Sequence, residues 1–191
     1  MARRVGPTHF LSLRLDPAFF SAFGDAVRQS HLTSAGMLVE PRTSHITTLL
    51  LDLNERTTGA ALEAFQRLGE RRTPLGPMTL RFRGVSTFGN RVVFAIPEND
   101  DATESVCRLA AELLEYFAVG GFTSAANDKE FTPHCTLMKT NRSSPKRIDP
   151  HVYSRFADHD FGSCQTTTID FCSMRGPKTD GYYQTLAQIP L

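Results

Sequence analysis

The sequence predicts a mixed α/β (α+β) protein with much antiparallel sheet, in which each half of the chain carries strands and a long helix. Three observations predict it. Amphipathic helical stretches alternate with strand-like runs along the chain. Residues 78–96 read as two strands around Ser86-Thr87-Phe88-Gly89-Asn90, whose Gly-Asn pair is turn chemistry. Each half also holds one strand-like run with a His and a Thr two residues apart, His45-Ile46-Thr47 and His134-Cys135-Thr136. These hint at an internal duplication.

Taken in order, residues 9–15 alternate Phe10 and Ser12 with Leu11, Leu13 and Leu15, as a half-buried strand does. Asp16-Pro17 is an N-cap with proline at the first helical position, and Phe19, Phe20, Phe23 and Val27 follow at helical spacing. Residues 36–41 connect to Arg42-Thr43-Ser44 and the first His run, 44–51. Asn54-Glu55 starts a second helix with Ala61, Leu62, Phe65 and Leu68 as its apolar stripe, broken by residues 73–77. The hairpin strands are placed at 78–85 and 91–96. A third helix, with Thr103 as a candidate cap, shows Val106, Leu109, Ala110, Leu113, Leu114 and Phe117, and Gly120-Gly121 closes it. The second His run covers 131–140. Asp149-Pro150 caps a short helix, 165–174 reads as one strand, 176–181 as a turn and 182–189 as the closing strand. No linker divides the chain, so 1–191 is expected to be one domain of two lobes, with residues 1–8 a flexible segment.

Composition narrows the function. A net charge of +1 does not support a long nucleic-acid footprint, which needs a basic surface. Lys139, Arg142, Lys146 and Arg147 do crowd one acid-free stretch; a solvated loop is the plainer account, a rim attracting a small anion the sharper one. No stretch suits a membrane span, and the basic start lacks the apolar run of a signal peptide. Cys107, Cys135, Cys164 and Cys172 have no C-x-x-C spacing, which suits a reducing compartment, cytoplasmic or nuclear. No H-x-H or H-E-x-x-H is present, and no metal or other cofactor is expected.

Side chains at i and i+2 leave one face of a strand, so each run sets an imidazole beside a hydroxyl. A single pair is most simply a sheet histidine beside a good strand former. Two pairs at matching places in two halves favour a shared site. Histidine ordinarily titrates near 6.5, so one imidazole can serve as base and another as acid. Phosphodiester cleavage by a neighbouring hydroxyl needs that pair, and threonine hydroxyls can donate to the phosphoryl oxygens as charge builds. By strict alternation Asp52 and Lys139 leave the faces of their histidines, unless a bulge intervenes.

His45-Ile46-Thr47 and Pro133-His134-Cys135-Thr136-Leu137-Met138-Lys139 resemble the paired H-x-T/S signature of the 2H phosphoesterase superfamily, also called RNA-ligase-like or cyclic-phosphodiesterase-like. Residues 84–90, 148–153, 169–174 and 181–183 resemble one branch, that of the 2H central domain of an A-kinase anchoring protein. The resemblance implies a two-lobed fold with pseudo-two-fold symmetry, two antiparallel sheets with flanking helices, and a central cleft lined by the H-x-T strands. It implies metal-independent cleavage of short 2′,5′-linked oligoadenylates through a 2′,3′-cyclic phosphate. His45 and His134 would be the acid–base pair and Thr47 and Thr136 the oxygen ligands; which histidine is base stays open. Phe88, Tyr182 and Tyr183 are candidates to stack on a base and Arg42 to reach phosphate, each with an ordinary structural alternative. The alternatives are an AMP-type nucleotide-binding module without turnover and an RNA 2′,3′-cyclic phosphodiesterase. A monomer is expected, with no membrane partner. No amphipathic anchoring helix follows the last strand, so a kinase regulatory subunit is not an expected partner.

Overall fold

The computed structural model describes residues 6–30, 32–141 and 146–191. Strand β1 (His9–Arg14) sends Leu11 and Leu13 into the main core and Phe10, Ser12 and Arg14 to the opposite face. A 3-10 turn, Pro17–Phe20, is capped by Asp16, whose carboxylate accepts from the Ala18 N–H, and leads into α1 (Ser21–Ser30). Strand β2 (His45–Leu51) precedes α2 (Glu55–Arg71), which opens with a reciprocal Asn54/Thr57 capping box. The hairpin is β3 (Met78–Phe88) and β4 (Val92–Pro97), and α3 is Asp101–Val119. Then come β5 (Cys135–Lys139), the single turn α4 (Pro150–Tyr153), β6 (Asp160–Thr166), β7 (Thr168–Ser173) and β8 (Gln184–Pro190).

All eight strands form one antiparallel sheet in the order β6-β3-β4-β5-β2-β1-β7-β8. The two sheets expected from sequence are therefore halves of one, joined where β2 meets β5 through the single pair Ile46↔Cys135. Both residues are fully buried, and they are the middle residues of the two H-x-T triplets. The seam between the halves thus sets the two triplets side by side. Behind it, Phe65 of α2 packs on Phe171 of β7 with ring centres 5.5 Å apart, and Leu109, Leu113 and Phe117 of α3 join the same core. Each such buried side chain contributes about 1.5–3 kcal/mol.

Several boundaries differ from expectation. The run 165–174 is two strands. β6 pairs with β3 at one end of the sheet and β7 with β1 on the far side, the chain crossing at Thr167. Gly162, at φ 86°, and Ser163 hide the start of β6, whose register is set by pairing with β3. Asp100, not Thr103, caps α3 and accepts from the Thr103 N–H at 2.8 Å. β3 runs to Phe88, so the turn shrinks to Gly89-Asn90, both left-handed at φ 57° and 55°. The closing strand starts at Gln184, after Tyr182 and Tyr183. Of the expected flexible segment 1–8, residues 1–5 lie outside the described residues, while Thr8 is buried and donates to the Leu53 carbonyl at 2.9 Å. Arg142 of the basic stretch also lies outside them. No helix among the described residues is long and apolar enough to cross a membrane.

Candidate active site

Both histidines are held the same way. The His45 Nδ1–H donates to the Thr43 carbonyl at 2.6 Å, and the His134 Nδ1–H donates to the Thr132 carbonyl at 2.7 Å. Each carbonyl lies two residues upstream, and each bond leaves Nε2 as the working nitrogen. The His45 Nε2 stands 3.1 Å from Thr47 Oγ1. His134 precedes β5 by one residue, and Thr136 joins His45 and Thr47 in lining a cleft of about 330 Å³. Larger hollows of about 720 Å³ beside Asp52 and Arg56, and 670 Å³ between α2 and α3, hold neither histidine; the smaller cleft is lined by His45, while His134, one residue before β5, lies outside its lining.

Burial holds the His45 imidazole well below its ordinary value, to about 4, against the opposing pull of the Thr43 carbonyl; the charges of Lys139 and His134 push the same way as burial. Burial also lowers His134, again opposed by its carbonyl partner. In the free protein burial thus biases both imidazoles toward the neutral form. Cys135, sealed between the halves, has its thiol pushed up to about 12 by burial and plays no acid–base part.

Aromatic rings flank each imidazole. Phe10 and Tyr183 lie with ring centres 5.0 and 5.6 Å from that of His45, and Phe88 and Phe94 each lie 5.1 Å from His134. Phe88 is 44% exposed at its hairpin tip and Tyr183 is half-buried, so each half offers one open ring. Tyr182 is not open in this way. Only 1% of it is exposed, its hydroxyl is 3.1 Å from Ser12 Oγ, and the Arg14 guanidinium covers its ring at 4.3 Å. Arg42 is exposed and lies against Gly181, outside the lining of the cleft.

Nothing in the sequence singles out Phe10 and Phe94, which alternation assigns only to strands, nor the two carbonyls. Strict alternation also misplaces Lys139. The register of β5 against β4 jumps from Met138↔Val93 to Thr136↔Phe94, so Leu137 is an unpaired bulge and Lys139 returns to the face of Thr136. There it lines the cleft. β2 has the same irregularity against β1, with Thr48 unpaired between Leu49↔Leu11 and Thr47↔Ser12. Asp52 lies in the separate hollow at the start of α2. Among the described residues no group of three His, Cys, Asp or Glu side chains stands where it could share a metal ion.

The model of a family described as the AKAP7 2′5′ RNA ligase-like domain matches residues 7–191. A-kinase anchor protein 7 isoform gamma of Homo sapiens is 31% identical over 176 residues, covering 86% of this chain and 50% of that protein. The chain therefore spans about half the length of this curated relative. Among solved structures, E. coli LigT complexed with 3′-AMP shares the fold with a TM-score of 0.68, over 98% of this chain and 99% of that one at 17% identity. TT0787 of Thermus thermophilus has a TM-score of 0.63 at 25% identity, covering 96% of this chain and 97% of that one.

Proposed function

The chain belongs to the AKAP7 2′5′ RNA ligase-like domain family, and from that premise we propose that it is a metal-independent phosphodiesterase cleaving short 2′,5′-linked oligoadenylates. The observation that carries this is the pair of imidazoles, each fixed by an upstream carbonyl with Nε2 available, beside threonines at the seam of the two halves. In a 2′,5′ linkage the neighbouring 3′-hydroxyl attacks phosphorus. One neutral Nε2 takes its proton, and the other, protonated, gives a proton to the departing 5′-oxygen. The products are a 2′,3′-cyclic phosphate and a free 5′-hydroxyl, with no water consumed. Thr47 and Thr136 donate to the non-bridging oxygens, Thr47 turning from His45 Nε2 to do so. A cleft of about 330 Å³ suits one nucleotide; Tyr183, which lines it, is the ring assigned to stack on a base, with Phe88, beside His134 and outside that lining, as the second candidate. That the E. coli relative was crystallised with 3′-AMP supports a ligand of this size.

Linkage specificity is tested by incubating the protein with 2′,5′- and 3′,5′-linked triadenylate in a chelator. Cleavage of the 2′,5′ isomer alone is expected. Equal cleavage of both overturns the linkage assignment; AMP binding with no turnover of either favours a nucleotide-binding module, and turnover confined to a 2′,3′-cyclic phosphate favours RNA end processing.

The pH profile follows from the lowered imidazoles. The base must be neutral, so kcat/KM falls as pH drops through its pKa; the acid must be protonated, so kcat/KM falls as pH rises through the other. Both lie below 6.5, His45 near 4. The maximum of kcat/KM is therefore expected below pH 6.5, whichever histidine is base. A plateau extending above pH 7 would contradict this.

A further inference from the structure

We infer that a second hollow beside the cleft, with Arg14 as its anion ligand, holds a phosphate of the substrate other than the scissile one; the inference rests on the phosphodiesterase reading above. This hollow, of about 210 Å³, has Arg14, Asp180, Tyr182, Tyr183, Thr185 and Gln188 in its lining. Tyr183 also lines the cleft of His45, so one ring is the wall between the two. Strand register puts the cation there. Arg14 pairs with His45 as Ser12 pairs with Thr47, so Arg14 leaves β1 on the face that carries the histidine. Its guanidinium then lies over the Tyr182 ring, 4.3 Å from a ring centre that is itself 6.1 Å from that of His45. A dinucleotide with its scissile phosphate at His45 and a base on Tyr183 extends past that ring toward Arg14. Arg14 is exposed and makes no ion pair with a described residue. Two further cations border the same turn: the Lys178 ammonium lies 5.6 Å from the Tyr183 ring centre, and Arg42 packs on Gly181. Two carboxylates oppose them. Asp180 is exposed at the rim, and Asp170, across from Ser12 on β7, is fully buried with its Oδ1 accepting from Thr168 and Gln188. Burial pushes the Asp170 carboxyl up and so weakens its charge. The three cations outweigh the one exposed carboxylate, and an anion is the fitting ligand. The guanidinium fork matches a phosphate, and Thr185 and Gln188 offer neutral donors beside it.

The test uses three forms of 2′,5′-linked diadenylate: one without a terminal phosphate, one with a 5′-terminal phosphate and one with a phosphate on its terminal 2′-oxygen. The wild-type protein is expected to cleave one phosphorylated form with kcat/KM about tenfold above the unphosphorylated form, mostly through KM and less so in high salt. The end whose phosphate gives the gain is the end that runs past Tyr183. Arg14→Gln is expected to abolish that gain and Arg14→Lys to keep part of it. A role confined to packing on Tyr182 would instead lower all three substrates alike. No gain from either phosphate in the wild type, or a gain that survives Arg14→Gln, would overturn the inference while the phosphodiesterase reading stands. Should the wild type cleave none of the three, that reading fails and calorimetry with the same compounds decides separately: tighter binding of a phosphorylated form, lost in Arg14→Gln, supports the inference, and equal binding of all three, a preference that survives Arg14→Gln, or no binding overturns it.

Discussion

Replacing either His45 or His134 with alanine is expected to lower kcat for diester cleavage by about 10²–10⁴-fold, with little change in KM. His45 lines the cleft with its Nε2 beside Thr47 Oγ1, His134 stands immediately before β5 and Thr136, and the Nδ1–H of each imidazole donates to a carbonyl two residues upstream. Truncation removes the proton acceptor or donor and leaves the seam Ile46↔Cys135 untouched, so circular dichroism and the unfolding midpoint should stay close to wild type. The double variant should be little slower than the slower single one, because base and acid act in one transition state. A single variant with full kcat would remove that histidine from the mechanism. His45→Ala should also abolish the acid limb or the alkaline limb of the pH profile, and which limb disappears assigns its role.

The largest structural effect is expected at Gly84. Its φ is 75°, and a Cβ there would stand 2.3 Å from the Ala157 carbonyl oxygen, a backbone atom that cannot swing aside. Gly84 lies where β3 slips register against β4, between Phe82 and Val85, and its N–H donates to the His159 carbonyl at 2.8 Å. Gly84→Val combines a β-branched residue in the left-handed region with overpacking. Together these cost about 2–6 kcal/mol, a large share of the 5–15 kcal/mol that stabilises a typical domain. Urea denaturation should show the midpoint fall with the slope unchanged. Because β3 ends at Phe88, beside His134, any folded fraction should also bind nucleotide more weakly. A stability within about 0.5 kcal/mol of wild type would contradict the account of this bend.

Helices and their caps are largely legible in the sequence because their signals are local: Asp16-Pro17, Asn54 and Asp149-Pro150 are caps in the structure, and Phe65 and Leu68 lie on a buried stripe. The two H-x-T runs are legible as strand segments for the same reason, as alternation needs only near neighbours. What escapes depends on pairing. Nothing in Thr47-Thr48-Leu49 or Thr136-Leu137-Met138 marks a bulge, since all are ordinary strand residues; the slip exists only against β1 and β4. Parity counted through a bulge gives the wrong face, and so it places Lys139 away from the cleft. Likewise Thr166 and Thr168 look continuous, yet they belong to opposite halves of the sheet. Alternation sets Phe10 on the Ser12 face, opposite Leu11 and Leu13, yet only 1% of it is exposed; the fold shows that this ring underlies His45. Tyr182 and Tyr183 are adjacent and chemically alike, so choosing the open ring requires the Thr179–Tyr182 turn, where the two backbones bond reciprocally at 3.0 and 2.9 Å.

The central claim is that the two histidine–threonine strands form one acid–base site that cleaves a diester by intramolecular attack. Phosphorus NMR of 2′,5′-linked diadenylate, incubated with the protein and a chelator in ¹⁸O-water, tests it most directly. The account predicts that a 2′,3′-cyclic phosphate appears as the first product with no ¹⁸O incorporated, and that its formation is lost in both His45→Ala and His134→Ala. A linear phosphate carrying ¹⁸O in the first turnover would contradict it, as would a cyclic product formed equally fast by either variant.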